Sequence, residues 1–162
     1  MTPYTVFLRI RHPSIDPTDI TTVLGLTPVH EWAAGSIREA VGAEGARGRH
    51  SDSYWLAPLG DAAWYPARSA AIAAAPGKSL WPLTRAMPLD AFLLGQARLL
   101  VPHKDFFARL KAEGAVCELA VALSPDENWA VDLTPALLRS LAELNIGMSI
   151  ELNAESENET DS

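Results

Sequence analysis

Four histidines, His12, His30, His50 and His103, and one cysteine, Cys117, are the side chains in this 162-residue chain best suited to acid–base, nucleophilic or metal chemistry. Ligation by imidazole favours short repeats such as His-x-x-x-His or His-x-His, which put two rings on one face of a helix or strand, and neither occurs. The closest thing to a cluster is His30, His50 and Asp52. If residues 29–33 and 53–57 are the arms of a wide hairpin, the connection between them brings two rings toward one carboxylate, a group able to bind a metal or pass a proton. No nucleophile elbow, dinucleotide fingerprint, phosphate-binding loop or paired-carboxylate motif accompanies it. The reading is therefore no catalytic residues, no metal and no cofactor, with the His30/His50/Asp52 region as the enzymatic alternative.

A second constellation is made of charges. Arg9 and Arg11 alternate with apolar residues near the start, Glu118 does so in the middle, and Ser149 and Glu151 do so near the end. If the three segments are strands of one sheet, period-two alternation sends all five side chains to the same, polar side. They can pair across strands, each pair contributing about 0.2–1 kcal/mol, or they can form a charged surface for a partner. Three large aromatics, Trp64, Tyr65 and Trp81, lie in a Pro- and Ala-rich stretch over residues 61–87, suited either to closing one end of the core or to contacting a partner. The candidate binding residues are thus Arg9, Arg11, Glu118, Glu151, Trp64 and Trp81.

The elements that must position these groups read as follows. Tyr4, Val6, Leu8 and Ile10 form the apolar side of a first strand that His12-Pro13 ends. Asp16 caps a short helix, Pro17 occupies its first position, Ile20, Val23 and Leu24 form its stripe with Thr18, Thr21 and Thr22 facing water, and Gly25 stops it. Residues 35–53, rich in Gly and Arg, read as a solvated loop between hairpin arms. Leu89, Phe92, Leu93, Leu99 and Leu100 face inward from a helix that Pro102 interrupts. Phe106, Phe107 and Leu110 do so from its continuation, which Gly114 ends. Cys117, Leu119, Val121 and Leu123 line one side of a further strand, where a lone thiol is ordinarily a small buried hydrophobe. Thr134 and Pro135 open a helix burying Leu137, Leu138, Leu141 and Leu144, and Asn145 closes it. Ile146, Met148, Ile150 and Leu152 mark a last strand.

The segment Val-Asp-Leu-Thr-Pro from Val131 echoes Ile-Asp-Pro-Thr from Ile15, so the chain contains two strand–helix–strand halves. One-sided strands call for helices over the apolar side alone. The expected fold is α+β, a mainly antiparallel sheet with helices packed on one face, a two-layer sandwich of ferredoxin-like tendency. Residues 1–153 form one domain and 154–162 an acidic disordered tail.

Of the formal charge of −7, four negatives sit on Glu155, Glu157, Glu159 and Asp161, leaving −3 for the rest. That balance argues against nucleic-acid binding, which depends on clustered Lys and Arg, and remains compatible with a basic protein partner. No apolar run is long enough to span a membrane, and the first residues lack the pattern of an export signal, so the expected setting is cytoplasmic.

The opening strand 5–11, Asp16-Pro17, Ile20-Thr21, Leu24-Gly25-Leu26, Pro28, Gly35, Trp55 and the closing stretch 141–152 resemble a bacterial family known only as domain of unknown function 4279 (DUF4279). The resemblance spans most of the chain and rests on caps, turns and core positions. It implies a fold without an activity and supplies no catalytic residues. The 61–87 stretch is similar to an expansion on that pattern. Together these readings point to a non-enzymatic binding module with a protein partner, of the immunity type that covers a toxin's active site. The alternative is a small-molecule or metal-dependent enzyme using His30, His50 and Asp52.

Overall fold

A computed structural model of the chain describes residues 4–37, 48–60, 87–123 and 130–152. Trp64, Tyr65 and Trp81, most of the Gly/Arg loop and the acidic tail lie outside the described residues.

The first strand, β1 (Tyr4–His12), lies at the centre of a five-stranded sheet. It is flanked by β3 (Ser53–Pro58) and β4 (Val116–Leu123), both antiparallel to it. Outside these lie β2 (His30–Trp32), antiparallel to β3, and β5 (Ile146–Leu152), parallel to β4, giving the order β2-β3-β1-β4-β5. The expected hairpin is present, with β2 and β3 as its arms. A further bridge, Ile37 to Arg49, lies in the connection that the sequence presents as an irregular loop. The first four strands follow the split βαβ order of ferredoxin-like folds, and β5 extends it by one parallel strand. Both halves of the sequence echo are strand–helix–strand units. In the first, β3 lies between the two parallel strands; in the second they are direct neighbours.

Local signals set the helices. In α1 (Pro17–Leu24) the Asp16 carboxylate accepts from the Thr18 N–H at 3.0 Å, and Gly25, at φ +66°, donates its N–H to the Thr21 carbonyl. A side chain is strained in that left-handed conformation, which is why the helix stops at glycine. Helix α2 (Leu89–Leu100) runs into a 3-10 turn (Val101–His103) at Pro102, and α3 (Lys104–Ala112) resumes. In α4 (Pro135–Glu143) the Thr134 hydroxyl accepts from the Leu137 N–H at 3.3 Å, and Asn145 leaves the helix at φ +55°.

Val6, Leu8 and Ile10 of β1, Trp55 and Ala57 of β3, Leu119 and Val121 of β4 and Ile146 of β5 all project to one face of the sheet. There they pack with Ile20, Leu93, Phe107, Leu110, Leu137 and Leu141 from the helices in one core. Each large apolar side chain sealed there is worth about 1.5–3 kcal/mol, and truncating Trp55 to Ala is expected to cost about 3–5 kcal/mol.

Three helical stripes differ from expectation. Val23 is 40% exposed, and Thr21, expected to face water, is half-buried because its hydroxyl accepts the Trp55 indole N–H at 3.0 Å, which rotates Val23 outward. Leu99 and Leu138 are exposed on the flanks of their helices rather than buried. Leu152 is also exposed, at the end of the last strand.

Candidate functional site

Strand register fixes which side chains share the sheet face opposite the helices. One row runs His30, Leu56, Arg9, Glu118 and Gly147; the next runs Trp32, Tyr54, Arg11 and Val116. In the other direction lie Phe7 beside Ala120, then Thr5 beside Ala122. Four of the six candidate residues, Arg9, Arg11, Glu118 and Glu151, therefore do share this face. Trp64 and Trp81 lie outside the described residues. The face is not uniformly open, however: Thr5, Phe7, Ala120 and Ala122 are buried, and among the described residues the Thr5 hydroxyl has no hydrogen-bond partner.

Arg9 binds two carboxylates at once. Its Nη2 and Nε donate to Glu118 Oε2 at 2.7 and 3.1 Å, and its Nη1 donates to Glu151 Oε1 at 2.9 Å. Burial opposes the guanidinium charge, but the charge-assisted hydrogen bonds to the two carboxylates and their attraction outweigh it, so Arg9 holds its proton more tightly than a free arginine. Gly147, across from Glu118, adds no side chain, leaving the space above the Glu118 stem clear. The three charges are thus largely satisfied by one another, the structural outcome that the alternating pattern allowed.

A column of flat groups stands beside this cluster. The Trp32 ring is stacked between His50 and Tyr54, with both centroid separations 4.3 Å, and the Arg11 guanidinium lies over the Tyr54 ring at 5.8 Å. Two backbone bonds set it up: Gly35 donates to the His50 carbonyl and His50 to the Ser36 carbonyl, which hold the loop against β2. The column escaped sequence reasoning because it depends on hairpin register. The available signal was Trp55: a buried Trp at that position sends Tyr54 to the opposite face, where an antiparallel partner must meet it.

The enzymatic alternative gains little here. His30 is exposed opposite Leu56, His50 is stacked on Trp32, and the Asp52 carboxylate accepts from Ser51 at 3.5 Å. Among the described residues no three of His, Cys, Asp and Glu are grouped to hold a metal ion. Cys117 is a poor nucleophile: burial, with a smaller contribution from Glu118, pushes its thiol up to about 12. His12 is structural. Its Nδ1 accepts the N–H groups of Ser14 and Ile15 at 2.9 and 2.8 Å, so Nε2 carries the proton and donates to Glu113 at 2.7 Å.

No family model, curated protein or solved structure matches the chain. Among the described residues no helix is long and apolar enough to cross a membrane.

Proposed function

We propose that this chain is a non-enzymatic binding module that receives a protein partner on the sheet face carrying Arg9, Arg11, Glu118 and Glu151. The observation that carries the reading is the column His50–Trp32–Tyr54–Arg11. Trp, Tyr and Arg dominate binding energy at interfaces, and stacking orders these side chains before any partner arrives, so little conformational freedom is lost on association. The charges of the face balance one another, Arg9 and Arg11 against Glu118 and Glu151, while the acidic balance of the chain as a whole, −7, suits a partner with a basic surface. The partner class we favour is a toxin whose active site is covered on binding.

The test is site-specific photo-crosslinking in the source cell, with the reactive group at Arg11 or, on the helical layer, at Leu99. One protein cross-linked from Arg11 and not from Leu99 is expected, and Tyr54→Ala should weaken its purified complex by about 30-fold, the scale of an interface hot spot. Equal labelling from both positions, or full affinity in Tyr54→Ala, refutes the reading.

A further inference from the structure

The sheet ends at β5, and among the described residues no strand pairs with its outer side. This edge is long, and its single charge, Glu151, lies on the face away from the helices and is held by Arg9. Ile146–Leu152 contains no Lys, no Pro and no charge pointing into the core, the devices that ordinarily stop two edges from joining. Ile150 is 39% exposed and Leu152 53% exposed, although both share the helix-side face with buried Ile146.

The apolar border continues onto the helix above. Leu138 and Ser140 project about 160° apart around α4. Ser140 is half-buried on one flank, whereas Leu138 is 47% exposed on the other. Since α4 packs against α2 and β5, the exposed flank is the one turned away from α2, where the sheet ends.

We infer that this edge joins a second copy of the chain, β5 to β5 in antiparallel register about a twofold axis through Ser149. Ser149 is the midpoint of Ile146–Leu152, so this register alone pairs the whole strand with itself. It places Ile146 opposite Leu152 of the second copy and Met148 opposite Ile150, apolar against apolar on the helix side. On the other side Glu151 meets Gly147, so the two glutamates do not face each other. A shift that centred the pair on Glu151 would set like charges together. The contact is isologous and closed, so it yields a dimer with one ten-stranded sheet rather than a fibre. Both Arg11-bearing faces then lie on the same side of that sheet, which offers a bivalent surface to any partner.

Sedimentation of the full chain over a wide concentration range tests the proposal, together with Ile150→Lys, checked for native circular dichroism, and Ser149→Cys in a Cys117→Ser background. The wild type should sediment as a two-chain particle and Ile150→Lys as a single chain. Opposed strand residues lie about 4.5–5.5 Å apart between Cα atoms, within disulfide reach, so Ser149→Cys should cross-link two chains under mild oxidant. A wild type that stays single-chain throughout overturns the inference, as does a dimer in which Ser149→Cys gives no cross-link or which Ile150→Lys leaves intact. A chain that dimerises only after removal of residues 153–162 overturns it as well, because the edge then belongs to the chain's own terminus.

Discussion

The indole N–H of Trp55 donates to the Thr21 hydroxyl at 3.0 Å, joining the largest fully buried side chain among the described residues to the helix that crosses the sheet there. Replacing Thr21 by Val leaves a buried donor unsatisfied and should cost about 1–3 kcal/mol, whereas Thr21→Ser, which keeps the oxygen, should cost much less. In a Trp55→Phe background the donor is gone and the Thr21→Val penalty should largely vanish. Urea unfolding of the four proteins of this cycle measures the coupling; strictly additive costs would show that the hydrogen bond contributes nothing.

Arg9 holds Glu118 and Glu151 together, and its own side chain is only 16% exposed. Arg9→Met should destabilise by about 1–2 kcal/mol, between the values typical of surface and buried ion pairs, because two carboxylates are left adjacent without a cation. Arg9→Lys should recover only part of this, one ammonium being unable to reproduce the guanidinium fork. Glu151, at 46% exposed, should matter less than Glu118 when each is changed to Gln. Urea midpoints in low and high salt give the ordering, and an Arg9→Met protein as stable as the wild type would disprove it.

Burial moves the Cys117 thiol from an ordinary 9.0 to about 12. Between these values the unfolded chain has lost this proton and the folded chain retains it, so stability should fall as pH rises from about 9 toward 12. The Cys117 contribution is complete below 9.0. Cys117→Ala should remove this part of the slope, whatever its fixed cost in packing. Unfolding midpoints across that alkaline window check the slope. Rapid labelling of the native thiol by a disulfide reagent at pH 8 would contradict the burial that causes it.

His12 ties the loop after β1 to the end of α3 through Ser14, Ile15 and Glu113. Asn places an oxygen near the position of Nδ1, so His12→Asn should keep the two backbone hydrogen bonds and lose only the contact to Glu113. His12→Ala loses all three and should cost about 2 kcal/mol more, set by two stranded N–H groups. Amide hydrogen exchange at Ser14 and Ile15 reads this directly. Equal exchange rates in the two variants would rule out the capping role.

Much of the fold was readable because its signals are local. Asp16 with Pro17 and Thr134 with Pro135 satisfy helix starts from within a few residues, and the alternation in β1, β4 and β5 reports a half-covered sheet without reference to anything distant. The charged candidates were found for the same reason, since period two sends Arg9, Arg11, Glu118 and Glu151 to one side once their segments are strands. What was missed depends on pairing. The His50–Trp32–Tyr54 column requires the register of a hairpin whose arms are twenty residues apart, and the inward turn of Thr21 requires knowing that Trp55 lies beneath α1. Thr5 and Phe7 alternate with the apolar row and so share the face of Arg9, yet alternation reports direction and not cover, so their burial could not be read from spacing.

The central position of β1 constrains the order of assembly. Its partner on one side, β3, is complete by Pro58, but Arg9 meets Glu118 across a gap of 109 residues. During synthesis the middle strand therefore has one bare flank until most of the chain has been made, and closing so large a loop is slow. The central strand, open to pairing on both flanks, is thus made well before one of its two partners. A nascent chain arrested before Leu123 should accordingly be the species most dependent on chaperones, and most inclined to borrow a strand from a neighbour.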